Sequence, residues 1–312
     1  MNQIQGQEIS ASLEGLALGA PQIFRNLALF PLLAADEAAS DYLLLDEAIE
    51  RKLARITEVS AGGSVPELAF ENLSDERILL VDGDELIGAK QNRIINLSIL
   101  VGGGRRIVIP VSCVEQGRWH SNSREFSSAG RAVFRKARAS KMSQVSASMR
   151  ETGKHRSDQG EIWKDVEHKV RFSRVASPTV SMSDAYDSLS GKLDDSVRAF
   201  QPQARQHGAV VAIDGKVSGL EIFDSAAAFA KYLPKLVRSY AMDAIESEDG
   251  VAPAVLADKV QRFIDEIKSA TAERFSALGE GEDIRLSGKG IAGGALAEGG
   301  RLVHLAGYAV SS

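Results

Sequence analysis

The chain reads as an α+β protein, and three observations predict that class. Short β-like runs crowd residues 16–120, helical periodicity takes over in 121–204, and residues 205–312 alternate hairpins with helices. The expected organisation is therefore a β-rich domain (16–120), a helical segment with a basic arm (121–204) and an α+β domain (205–312). One continuous domain joining the first and third parts is the alternative.

In the first part the strand candidates are "LALFPLL", "ARITEV", "ELAFEN", "RILLV", "RIINLSILV" and "RRIVIPVS", separated by Gly, Asn, Asp and Ser clusters. One helix interrupts them in "LLLDEAIERKL", where Leu45, Ala48, Ile49 and Leu53 share a face and Glu47 precedes Arg51 by one helical turn. In the second part Asp158 and Glu161 have capping-box spacing ahead of the Ile162, Val166, Val170 stripe. "SMSDAYDSLSGKLDDSVRAF" then spaces Tyr186, Leu189, Leu193, Val197 and Phe200 on one helical face, and Pro202 stops it. In the third part Asp214-Gly215 sits between alternating apolar runs, the strongest short hairpin signal. The run "GGALAEGGRLVHLAGY" repeats that pattern around Gly299-Gly300, so the two hairpins are expected in one sheet. Between them "SAAAFAKYLPKLVRSYAMDAI", bent or restarted near Pro234, and "APAVLADKVQRFIDEIKSATAERF" read as helices.

Composition narrows the function classes. With 312 residues, 44% hydrophobic and 25% charged, the chain has ample apolar surface for a core. No apolar run approaches the ~20 residues that span a bilayer, and the polar start "MNQIQGQEIS" lacks a signal-peptide pattern, so a cytoplasmic protein without a membrane partner is expected. The single cysteine, Cys113, excludes an intramolecular disulfide framework and a cysteine-rich zinc site. The net charge of −5 hides segregation: residues 118–156 hold ten Lys or Arg against two acids, giving +8, so the rest carries −13. The helix expected over 131–150 turns Phe134, Met142, Val145 and Met149 inward and leaves an exposed positive face, a candidate nucleic-acid contact.

The densest chemistry lies in "DGDELIGAKQNR", which packs three acids, two bases and two amides into residues 82–93 after the apolar run "ILLV". Odd positions Ile95, Leu97, Ile99 and Val101 form an apolar face, which places Gln91 and Arg93 on the core side. If Gly102-Gly103-Gly104 turns the chain into "RIVIPVSC", paired residue numbers sum to about 206, so Arg93 faces Cys113 and Gln91 faces Glu115. A core-facing guanidinium needs a carboxylate or carbonyls, and Glu115 is the nearest candidate in that register. Pro110 places the second strand at an edge or bulge. Bland readings stand beside these: Asp82-Gly83-Asp84 as a plain turn, and Cys113 as a small buried residue. "GGGRR" lacks the Lys-Ser or Lys-Thr of a phosphate loop.

"VDGDELIGAKQNRIINLSILV", "IPVSCVEQGRW", "SDQGEIW" and "KLVRSYAMDA" resemble the signature blocks of a bacterial family named for its association with ADP-ribosylglycohydrolases and rhodanese-phosphatases. The resemblance covers roughly residues 13 to 310. Where the family pattern has Glu, this chain has Asp84. The association implies processing of an NAD-derived or ADP-ribose-containing nucleotide by a hydrolase-like enzyme. A non-catalytic sensor of such a ligand, or a nucleic-acid-binding protein using residues 118–156, is the alternative. For a phosphorylated nucleotide-like ligand, Lys90 and Arg118 are the candidate phosphate cations. Gln91, Asn92, Arg93 and Gln116 are candidate polar contacts, and Trp119 or Trp163 a candidate platform for the base. Glu85 and Glu115 lead as the general base, Asp158 and Glu161 add carboxylates near the ligand, and Asp82 is a candidate ligand for a Mg²⁺ ion.

Overall fold

The structure, a computed structural model, describes residues 7–35, 39–60, 62–120, 123–247 and 257–310. Its largest sheet has nine strands, and the path Leu16–Leu18, Leu27–Ala34, Gln206–Ile213, Lys216–Phe223, Arg301–Ala309, Ile291–Glu298, Glu282–Gly288, Thr271–Ser276 runs across it. Both C-terminal hairpins lie in this sheet, turning at Asp214-Gly215 and Gly299-Gly300, as their sequence repeat suggests. Left-handed φ values at Asp214, Gly215, Gly299 and Gly300 explain that turn chemistry. Leu27–Ala34 pairs with Leu16–Leu18 on one side and with Gln206–Ile213 on the other, so the N-terminal and C-terminal parts share one sheet.

A second sheet of six strands has the order Phe126–Ala132, Asp84–Gly88, Arg93–Ile95, Arg106–Cys113, Glu67–Asn72, Ala54–Glu58. Its register matches the parity argument: Val111 faces Ile95 and Cys113 faces Arg93. The expected long strand over 93–101 is broken, however. Ile99–Val101 leaves to pair with Arg77–Leu80 in a three-stranded sheet, so Gly102-Gly103-Gly104 connects two sheets rather than closing a hairpin. Pro110 sits where the Arg106–Cys113 strand changes partner, pairing with Glu67 on one side just before Val111 pairs with Ile95 on the other. It marks a handover inside the sheet, where its missing N–H removes little from either ladder.

Helices cover these sheets. Arg135–Thr152 buries Met142, Val145 and Met149, as predicted, with Phe134 buried at its N-cap, and it packs against the Ile291–Glu298 strand. Asp158 caps Gln159–Ser173, accepting from the backbone N–H groups of Gly160 and Glu161. The single helix expected over 181–200 is two, Met182–Ser188 and Ser190–Ala199, divided at Leu189. Ala226–Ala244 runs unbroken through Pro234, capped by the Ser225 hydroxyl. The helix expected over 252–275 ends at Ser269, and Thr271–Ser276 is an edge strand instead; residues 252–256 of it lie outside the described ones. Among the described residues no helix is long and apolar enough to cross a membrane.

Close packing between sheet and helix yields one stability prediction. A Cβ at Gly219 would overlap the Tyr240 hydroxyl and come within 2.7 Å of the Gly307 carbonyl oxygen. Gly219→Ala is expected to destabilise by about 1–3 kcal/mol, read as a lower urea midpoint at unchanged slope.

Candidate functional site

The opening acids of the 82–93 segment do not project into solvent. The chain turns at Asp82-Gly83, where Gly83 takes φ +87°, and its N–H donates to Ile95 O at 2.9 Å. Each acid then meets a cation from a different helix or strand. Asp82 pairs with Lys141 Nζ, with Arg138 Nε 4.0 Å away. Asp84 lies 3.0 Å from Lys235 Nζ, and burial pushes its carboxyl up to about 6. Glu85 accepts from Arg131 Nε at 2.6 Å and from Ser183 Oγ at 2.9 Å, and burial raises its pKa.

The Asp82 carboxylate, the candidate Mg²⁺ ligand, is paired through one oxygen with the Lys141 ammonium. Among the described residues no group of three or more His, Cys, Asp or Glu is placed to hold a metal ion.

The basic segment is corrected in the same way. Arg138 and Lys141 are fully buried, Arg138 donating to Glu221 at 2.6 Å. Arg135 donates to the Ser218 and Ala309 carbonyls, Lys136 pairs with Asp165 at 3.2 Å, and Arg150 pairs with Glu273. The cations expected on an exposed positive face are largely neutralised by distant acids. Arg124, Lys154 and Arg156 stay exposed, so the positive face is smaller than the sequence suggests.

Glu85, Asn92, Glu115 and Arg118 do come together. Arg118 grips Glu115 with Nε at 2.9 Å and Nη2 at 2.6 Å, while Asn92 N and Thr179 Oγ1 donate to the same carboxylate at 3.1 and 3.0 Å. Burial opposes its charge, but these hydrogen bonds and the Arg118 charge hold Glu115 below the usual carboxylate range. The Glu115 clamp is thus made by Arg118 and not by Arg93, as the register suggested. Arg93 is fully buried and donates to Gln91 Oε1 at 3.1 Å, leaving Nε and Nη2 without a hydrogen-bond partner. Gln91 spends its amide on the Glu115 and Gln116 carbonyls.

These residues border a cleft of about 650 Å³, lined among others by Asn92, Glu115, Arg118, Thr179, Ser181 and Ser183. Ser183 is its pivot: the hydroxyl accepts from Asn92 Nδ2 at 3.1 Å and donates to Glu85. Glu85 lies behind the wall, reaching the cleft through Ser183. The hydroxyl-bearing wall comes from residues 177–184, of which only 181–184 fall in an element that the sequence predicts, the start of a helix. Its signal was the cluster "SPTVSMSD", held in place by Glu115 pairing with Ser181 across an isolated bridge.

The remaining candidates lie elsewhere. Lys90 Nζ donates to Gly62 O and stands 5.2 Å from the ring centre of Trp119, outside the cleft lining. Trp119 is 48% exposed with Lys90 over its ring, and Gln116 is exposed. Asp158 is spent on its helix cap, Glu161 on Ser140 and Gln144, and half-buried Trp163 rides on that helix. Cys113 is buried, its backbone clamped on both sides by the Gln159 amide at 2.8 Å, and burial pushes its thiol up. A separate line runs through the core, from Ser98 Oγ to His304 Nδ1 at 2.9 Å and from His304 Nε2 to Glu221 at 3.0 Å. It borders a cavity of about 10 Å³, room for one water and no substrate.

Comparison with curated proteins and with solved structures finds no match. The model of the ARG and Rhodanese-Phosphatase-superfamily-associated Protein domain matches residues 15–308, and the chain belongs to that family.

Proposed function

We propose that the cleft takes the ribosyl part of an NAD-derived or ADP-ribose-containing nucleotide and hydrolyses it, with Glu85 as general base acting through Ser183. The observation that carries this reading is the Ser183–Glu85 contact of 2.9 Å, which links a hydroxyl on the cleft wall to a fully buried carboxyl. Burial raises the proton affinity of Glu85 toward the range where a base works near neutral pH. The cleft volume of about 650 Å³ suits a nucleotide-sized ligand. The family's association with ADP-ribosylglycohydrolases supports the ligand class.

The ligand's phosphates lie outside the cleft, because Lys90 does not line it and Arg118 is already engaged. A magnesium ion would arrive on those phosphates rather than in a protein cage. A second reading, ligand binding without turnover, is favoured by one observation: both Glu115 oxygens are saturated by protein donors, which leaves Glu115 a scaffold and no base. A melting-shift and product-release screen of NAD, ADP-ribose and related ribosides separates the two. Stabilisation with product supports hydrolysis, stabilisation alone supports the binding reading, and neither response to any ligand overturns both.

A further inference from the structure

The charge of the cleft narrows the ligand further, resting on the ribosyl reading above. Glu115, Glu125 and Asp184 line it, and the only cationic side chain among its described lining residues is Arg118. A guanidinium has five N–H donors. Those of Arg118 are occupied: Nε by Glu115, Nη1 by the Ala89 and His120 carbonyls at 2.5 and 3.3 Å, and Nη2 by Glu115 and by Asn92 Oδ1 at 3.1 Å. No cationic donor remains for an anion. Glu125 is only loosely offset by Arg55, 3.3 Å away and outside the lining, and Asp184 accepts from the Ser177 hydroxyl at 2.6 Å. What the cleft offers is hydroxyls for a sugar, carboxylates, and an apolar floor of Ile49, Ile87 and Phe126.

We propose that this cleft selects ribosides whose aglycone is a flat, positively charged base, of the pyridinium N-riboside class, over uncharged and phosphate-bearing ones. Carboxylates with no competing free cation favour a positive ligand electrostatically, and the apolar floor suits a flat ring. The chemistry is economical as well. When the bond between C1′ and the ring nitrogen breaks, its electron pair neutralises the cation, so the leaving base needs no proton. Water oxygen bonds to C1′, and the water proton passes through Ser183 Oγ to Glu85. One base suffices, and one buried carboxyl reaches the cleft through a hydroxyl.

The test is calorimetric titration of the parent protein with nicotinamide riboside, with its uncharged dihydro form and with nicotinamide mononucleotide. The cationic riboside is expected to bind at least about ten-fold more tightly than the dihydro form, a step of about 1.4 kcal/mol. It is also expected to bind more tightly than the mononucleotide. The Glu125→Gln/Asp184→Asn double variant is expected to narrow the first gap. Equal or reversed affinities for the charged and uncharged ribosides, or tighter binding of the mononucleotide, overturn the charge preference and leave the ribosyl reading standing. If none of the three binds while NAD or ADP-ribose does, this inference falls and the ribosyl reading stands; if those fail as well, both fall.

Discussion

Arg138→Met is expected to destabilise the fold by about 3–5 kcal/mol, the cost of leaving a buried charge without its partner. Arg138 and Glu221 are both fully buried and 2.6 Å apart, and neither can reach water if the other is removed. Burial disfavours the Glu221 charge, and Arg138 together with His304 more than offsets that, holding Glu221 below its ordinary range. Removing the guanidinium therefore strips the largest stabilising influence on that carboxylate and also loosens Asp82, 4.0 Å from Arg138 Nε. Urea unfolding reads the loss. The Arg138→Met/Glu221→Gln double variant is expected to recover part of it, because a neutral amide tolerates burial better than an orphaned carboxylate. A single variant within about 0.5 kcal/mol of the parent would show that the pair adds nothing net.

Glu85→Gln is expected to lower turnover ~10²–10⁴-fold with little change in ligand affinity. The amide keeps the shape and a carbonyl oxygen for Ser183, but it cannot take a proton. Ser183→Ala is expected to lose turnover similarly, since it removes the only described hydroxyl that links the cleft to Glu85. The pH profile carries the sign. A base works ionised, so activity falls as pH drops through its pKa. With burial raising the Glu85 carboxyl, the acid limb belongs above the usual Glu value near 4.5. An acid limb below that value, or a Glu85→Gln protein that turns over like the parent, would remove Glu85 from the chemistry.

Local patterns in the sequence reach their limit where partners are distant. The alternation of Ile95 with Val111 sets a register that the structure shares at Arg93 and Cys113, because a one-residue slip would turn every apolar side chain to the wrong face. Asp214-Gly215 and Gly299-Gly300 announce their hairpins through turn chemistry alone. Charges behave otherwise. Arg138 and Lys141 lie on the same helical face as Phe134, Val145 and Met149, and only acids 83 and 59 residues away make their burial tolerable. No window of sequence shows that pairing. Thr271–Ser276 continues a helical pattern and becomes a strand because it closes the edge beside Glu282–Gly288. Within the site, Asn92, Glu115 and Arg118 stood out as polar residues near one strand pair. Ser183 did not, since its importance comes from meeting Glu85 across 98 residues.

Ser127→Trp offers the most direct measurement. Ser127 lines the cleft and is itself exposed, so an indole there fills the cavity without touching the core. Binding and turnover of the best ligand from the riboside panel are compared between this variant and the parent, with melting as the control for folding. A variant that melts like the parent and loses at least about ten-fold in affinity is the predicted result. Unchanged binding and turnover in that folded variant would place the working site elsewhere on the molecule.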